Sequence, residues 1–498
     1  MTMVLSLAFL TLSAFAGLSA AEPAYNQSAE YDSGAFGLSP TQQFVAATDY
    51  KPVQLNYQLP LNDSTAGLIS SGLLFFSPQG GDVEQAGPLI IKQDGTVVWS
   101  GAEYAAPSFH IEKYKGEDHI ILWKGDFQVG GFGYGNWLVL NNKYEVVANY
   151  TTVGLLNDTL SDLHDSHIYE GDLATMTAYL PQPYDLSPYG GPSDGFIASA
   201  VVQEINITTN EVLFNWDSID HVDPADCYFD LPAGAGANYS TPWDYFHINA
   251  IDKDEAGNYL LSSRYCHTLF YVDGSSGDII WRLGGKNSSF AMGEGSDFSW
   301  QHDCRWRSNN TISLFDNAGR EEEEDAAYSR GLLFNVDFTA MTVELAKEFI
   351  PWSGTVSHSQ GNVQFLENGN VVIGWGQQPY FQEFDSDGNA LWEMHFGVGD
   401  VEAYRAFRFE WVGLPSTSPS LAIVNGTAYA WWNGATELAS WELRGSSGSG
   451  EDVSLVTTPR TDFETAIEFD GWDGYTSYTV VALDGEGQTL GTSEEVTA

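Results

Sequence analysis

Basic residues are scarce in this chain. Nineteen Lys and Arg stand against 67 Asp and Glu, for a formal charge of -48. Without a basic footprint, neither nucleic acid nor an anionic membrane is an expected partner. A negatively charged ligand would be repelled at long range, so any anion site has to be built locally from Arg, His and backbone N–H groups. Cysteine is scarcer still. Three residues, Cys227, Cys266 and Cys304, are too few for a disulfide framework, leave one sulfur unpaired or intermolecular, and show no metal-ligand spacing. No HExxH, Walker loop or GxSxG with partners occurs. No metal and no cofactor is therefore expected.

Long apolar runs are also missing after the first residues. Met1 to Leu18 is apolar and is followed by small residues at Ser19, Ala20 and Ala21. That pattern reads as a signal peptide over 1–21, shorter than the roughly 20 apolar residues that span a bilayer. A secreted, extracellular, soluble protein is expected. Asn-X-Ser/Thr acceptors at Asn26, Asn62, Asn149, Asn157, Asn206, Asn238, Asn287, Asn309 and Asn425 fit a glycoprotein.

What the sequence has in quantity is β-structure punctuated by turns: 14% aromatic residues and 51 Gly. One phrase recurs as strand, Asp/Asn-Gly turn and strand often ending in Trp, as in LIIKQDGTVVWSG (89–101), LFYVDGSSGDIIWRLGG (269–285) and YFQEFDSDGNALWEMHF (380–396). A second phrase starts near a His and runs through another hairpin, as in FHIEKYKGEDHIILWKG, LHDSHIYEGDLATMTAYL and FHINAIDKDEAGNYLLSSR. Alternating, the two give six units of four strands, which is what radial repetition of blades requires. The expected fold is all-β: a six-bladed β-propeller over 22–410, with a strand from 22–65 helping to close the ring. Residues 411–498 read as a linker and a small immunoglobulin/fibronectin-like β-sandwich.

Aligning the second phrase places His110, His164, His247 and His302 at one position of successive units, with Ser359 in that register in the sixth and His358 just before it. Equivalent positions at the start of innermost strands converge on the axis. For His110 and His164 a structural hydrogen bond is the leading reading. His247 and His302 read as functional, because Arg264, Asn249, Asn317 and Arg320 cluster with them in SSR, HINAI and LFDNAGR. Trp300 and Trp375 could stack on an aromatic ligand, against the plainer use of Trp in blade packing. The run Glu321 to Glu324 with Asp325 reads as a solvated loop rather than a calcium site.

The stretch 241–320, with WRLGGK, QHD and LFDNAGR, resembles the core of the arylsulfotransferase family, particularly its fungal secreted branch. SQGNVQFLENGNVVIGWG and WNGATELASW are similar to the same branch. The resemblance implies a six-bladed propeller whose axial pocket moves a sulfuryl group from one phenol to another through a sulfohistidine. It assigns catalysis to His247, His302, Arg320 and, by order along the chain, His358. The implied partner is a small phenolic or aryl sulfate substrate.

The residue chemistry agrees with that assignment. A sulfuryl group in flight needs positive charge and donors around its equatorial oxygens. Arg320 and Arg264 can provide a planar guanidinium fork, and a neutral imidazole can attack sulfur while another handles the phenol proton. Two other readings remain open. One is a non-catalytic extracellular propeller binding an anion or carbohydrate; the other is a propeller lyase or hydrolase. The sequence does not fix the oligomeric state.

Overall fold

The computed structural model describes residues 23–128, 130–448 and 452–497. The segment read as a signal peptide lies outside them. The described residues are almost entirely strand and turn, and none of their helices is long and apolar enough to cross a membrane.

Six four-stranded antiparallel units follow one another along the chain. Blade 1 holds Ala406–Phe409, Leu73–Phe76, Leu89–Ile91 and Val97–Ser100. Blade 2 runs from Phe109–Tyr114 to Val146–Tyr150, blade 3 from Ser166–Tyr169 to Val212–Asp217, and blade 4 from Ile248–Lys253 to Ile279–Gly284. Blade 5 runs from His302–Ser308 to Thr342–Phe349 and blade 6 from Asn362–Phe365 to Ala390–His395. The first strands of blades 2 to 6 touch in succession. Ala406–Phe409 then touches blade 6, and its neighbour Leu73–Phe76 touches blade 2, so the ring closes.

The closing strand is not the one expected. Leu55–Leu59, from the segment 22–65, lies on the outer edge of blade 6 and pairs with Ala390–His395. Closure comes from Ala406–Phe409, which pairs in register with Leu73–Phe76 and so ties the end of the ring to its beginning.

Blade faces alternate, and the apolar face of each sheet packs on the next. Leu260, Leu269 and Trp281 of blade 4 interlock with Ile312, Leu314 and Leu332 of blade 5 in one buried cluster. The WRLGGK phrase is a packing constraint. Gly284 and Gly285 sit at φ +81 and +68, and a Cβ on Gly285 would come within 2.0 Å of Thr268 Oγ1.

Residues after 410 form two packed sheets, of three and four strands. Trp441, Leu443, Val480 and Ala430 lie between them. The sandwich is locked to the propeller. Glu464 accepts backbone N–H bonds from Val45, Ala46 and Ala47 at 2.8, 2.8 and 2.6 Å. Asn433 closes a two-bond ring with the backbone of Ser100. Replacing Glu464 by Ala removes a charged acceptor from three donors. It is expected to cost about 2–3 kcal/mol, measurable as a lower urea midpoint with the CD spectrum unchanged at zero denaturant.

Candidate active site

The segments entering the innermost strands of blades 3, 4, 5 and 6 arrive at one end of the axis. There they line a cavity of about 670 Å³ with His164, His247, His302 and His358. Arg264, Arg320, Tyr265, Phe229 and Tyr404 complete the wall used below.

Three of the imidazoles are set in the same manner, each with Nδ1 held from behind. His247 Nδ1 is 2.6 Å from Asp244 Oδ2, and Asp244 Oδ1 accepts the His247 backbone N–H at 2.9 Å. That second bond stabilises His247 at φ 51, a left-handed conformation uncommon for a non-glycine residue. His164 Nδ1 bonds Asp162, whose carboxylate also accepts the N–H groups of His164 and Gly133. His302 Nδ1 is 2.7 Å from Asn317 Oδ1. Because Asn317 Nδ2 is committed to the carbonyls of Ser357 and Gln360 at 2.8 and 3.0 Å, its oxygen faces the ring. Nδ1 of His302 must then carry the proton and Nε2 the lone pair. The rings are close: His164 and His247 centroids lie 4.9 Å apart, edge to face.

Burial decides the protonation states. It pushes His302 well below the usual imidazole range, helped by the positive charge of Arg264. Burial does the same to His247, reinforced by His164 and Arg264. The Asp244 carboxyl behind it is raised to about 7 for the same reason, loss of water around the charged form.

The opposite wall is cationic. Arg264 is 7% exposed, its terminal nitrogen donates to the His358 carbonyl at 2.7 Å, and its Nε has no partner. Among the described residues no carboxylate lies within ion-pair distance of it. A buried guanidinium without a counter-ion is costly unless an anion arrives to meet it. Arg320 stands beside it, loosely paired to the exposed Glu322 and Glu323 at 3.4 and 3.7 Å. Both guanidiniums lie over Trp300, at 5.2 and 5.0 Å from its ring centre. Trp300 Nε1 is anchored to Asp325 at 3.1 Å. The platform is cation–π in character and holds two like charges side by side.

The Cys227–Cys266 disulfide fixes one lip of the cavity, and Cys304 is free and buried. Next to the bridge, the Tyr228 N–H donates to the Tyr265 carbonyl at 2.7 Å, and Phe229 stacks on Tyr265 at 4.2 Å. The acidic run sits at the cavity as well. Glu321 and Glu322 line it, and Glu324 Oε1 is 3.1 Å from His358 Nε2.

The structure thus gathers His247, His302, His358, Arg320 and Arg264 around one space. Asn317 and Trp300 stand one layer behind, holding His302 and the guanidiniums. Two residues read as substrate-binding are elsewhere. Asn249 is fully buried and spends its amide on the Gln301 carbonyl at 2.7 Å, because it lies on a strand whose neighbouring blade covers it. Trp375 is fully buried between Phe315 and Tyr380, a packing residue.

His110 is a register correction. The turns Lys115-Gly116 and Glu170-Gly171 both have positive φ (53 and 88, 46 and 92) and are equivalent. Counting back from each places His110 opposite Asp165 rather than His164, so its ring lies further along the strand and outside the cavity. Asp162 and Asp244, which orient two of the imidazoles, were not singled out. Their signal is an Asp two or three residues before the His, in SDLH and DYFH.

No curated protein matches the chain. A Bacteroides caccae protein of unknown function aligns at 12% identity and TM-score 0.38, covering 68% of this chain and 98% of its own. A Lactobacillus plantarum protein aligns at 10% and 0.34, covering 80% and 100%. Saccharomyces cerevisiae Sqt1 aligns at 9% and 0.31, covering 86% of each chain. Likenesses this loose carry no argument about the chain. The family described as Arylsulfotransferase (ASST), by contrast, matches residues 110–397, more than half of the 498 and including every imidazole of the cavity, and the chain belongs to that family.

Proposed function

We propose that this protein is a secreted enzyme that transfers a sulfuryl group between phenolic compounds through a histidine intermediate. One observation carries the reading: a buried guanidinium without a counter-ion faces buried imidazoles whose Nδ1 atoms are held from behind. That arrangement suits a tetrahedral anion presented to a nitrogen lone pair.

In the first half-reaction the sulfate oxygens of an aryl sulfate engage Arg264 and Arg320. His302 Nε2 gives up its weak 3.3 Å bond from the Gln360 N–H and attacks sulfur, an S–N bond forms, and the S–O bond to the aryl group breaks. The departing aryl oxide takes a proton from the Asp244–His247 pair, which gains and loses one near neutrality. In the second half a phenol returns its proton to that pair and attacks sulfur. The S–N bond breaks and His302 is restored. His302 suits the nucleophile's part better than His358 by geometry, since the His358 imidazole is partly exposed and bonded to Glu324. The apolar remainder of either substrate fits against Phe229, Tyr265 and Tyr404.

Asp244→Asn offers His247 an amide oxygen in place of the carboxylate, as Asn317 already does for His302, and removes the titrating group. The expected result is a kcat lower by about 10²-fold and loss of an inflection near pH 7 that is expected in the wild-type kcat profile. Retention of that inflection would assign it to another group.

Export, cleavage of 1–21 and glycosylation belong to the same proposal and rest on the N-terminal apolar run and the acceptor sites. Mass measurement of protein recovered from the medium of an expressing culture, before and after deglycosylation, tests them.

A further inference from the structure

A second cluster of imidazoles lies where the innermost strands of blades 2 and 3 meet. His110 and Glu112 come from Phe109–Tyr114 and His167 from Ser166–Tyr169, and one ligand atom from each lies within 4.8 Å of the other two. Glu112 Oε1 is 2.7 Å from His167 Nδ1 and 3.4 Å from His110 Nε2. None of the three lines the sulfuryl cavity.

We propose that His110, Glu112 and His167 bind a divalent first-row transition ion of the zinc type, which clasps blade 2 to blade 3. Two imidazoles and one carboxylate suit such an ion and leave a position open for water or the nearby Ser166 carbonyl, 3.1 Å from His110 Nε2. Behind His167, Asp165 Oδ1 is 3.4 Å from the ring's other nitrogen, the relation by which a carboxylate orients a metal-bound imidazole. His110 is 5% exposed; its Nε2 meets Glu112 and the Ser166 carbonyl, while its Nδ1 has no hydrogen-bond partner.

Asp165 and Asp303 are paired with the guanidiniums of Arg305 and Arg405, which leaves Glu112 as the carboxylate available to an ion. Glu112 and His167 each keep 19% of their side-chain surface exposed, which gives an ion a way in.

The test uses the full chain, stripped with chelator and titrated with Zn²⁺ by calorimetry and with Co²⁺ by visible absorption. The expected result is one ion per chain at this site and a thermal midpoint that climbs with ion concentration. Affinity falls by about 100-fold or more in Glu112→Gln and His110→Ala and is kept in His302→Ala, which reports on the separate cavity cluster. Because either ligand substitution can also unfold the chain, the wild type is read directly as well: Zn²⁺ should protect His167 from diethyl pyrocarbonate, mapped by mass spectrometry. A wild-type chain that binds no ion, binding unchanged in both folded ligand variants, or no protection of His167 overturns the proposal and leaves a hydrogen-bonded His–Glu–His cluster.

Discussion

Replacing His302 by Ala is expected to reduce phenol-to-phenol transfer by about 10⁴-fold or more, since in the proposed mechanism it deletes the nitrogen that carries the group between donor and acceptor. The fold should survive. His302 touches its surroundings through Asn317 behind it and the Gln360 N–H, the latter at 3.3 Å, and its own ring and Gln360 line the open cavity. Steady-state transfer with unchanged CD and thermal midpoint within a few degrees is the measurement. A binding propeller without turnover would have no rate to lose and would keep its ligand. A hydrolase would release sulfate to water in the wild type, with no phenol dependence. His302→Gln tests the geometry separately: it fills the space and can meet Asn317, yet has no basic nitrogen, so it should be as inactive as Ala.

Arg264 gives the second large effect, with opposite signs in activity and stability. Its guanidinium donates to a backbone carbonyl, and among the described residues no carboxylate lies within ion-pair distance of it. Removing it deletes the donor aimed at developing negative charge on the moving group, an effect of about 10²–10³-fold in kcat. It also relieves a buried charge that the empty protein leaves uncompensated. Arg264→Met is therefore expected to lose activity and to hold or raise the thermal midpoint. Arg264→Lys should recover little, because a point charge cannot span two sulfate oxygens or lie flat on Trp300. A variant that lost stability in proportion to activity would mark Arg264 as structural. Sulfate or an aryl sulfate added to the wild type should raise its midpoint, and this gain should vanish in Arg264→Met.

Much of the architecture was legible because a blade is a local object. Each hairpin carries its own turn residues and alternation, and the recurrence of paired hairpins in one order leaves little room for another fold. What escaped reading depends on contacts distant in the chain. Ring closure rests on four residues, Ala406–Phe409, finding Leu73–Phe76 more than 300 positions away, and nothing in AFRF distinguishes a closing strand from a linker. The Cys227–Cys266 pairing is of the same kind, since spacing alone does not choose among three sulfurs.

The site was legible in its charged members and less so in its neutral ones. Arg264, Arg320 and the imidazoles are too polar to be buried without cause, so their clustering in short phrases pointed to the axis. Asn249 and Trp375 are taken up by packing between strands: the Asn249 amide bonds the Gln301 carbonyl of the next blade, and Trp375 lies between Phe315 and Tyr380. The structural reading of His110 holds, since its Nε2 bonds the Ser166 carbonyl of the next blade; its alignment with His164 is off by one residue, which on a strand exchanges faces. The displaced ring lies in the His110–Glu112–His167 cluster.

Trapping the intermediate tests the central claim most directly. The full-length protein, incubated with an aryl sulfate and no phenol, then denatured under alkaline conditions, is read by intact mass and by peptide mapping. One added SO₃ per chain is expected on His302, discharged when phenol is supplied before denaturation and absent in Arg264→Met. An unmodified chain that still transfers sulfate, or an SO₃ group carried by a residue outside the cavity, would contradict it.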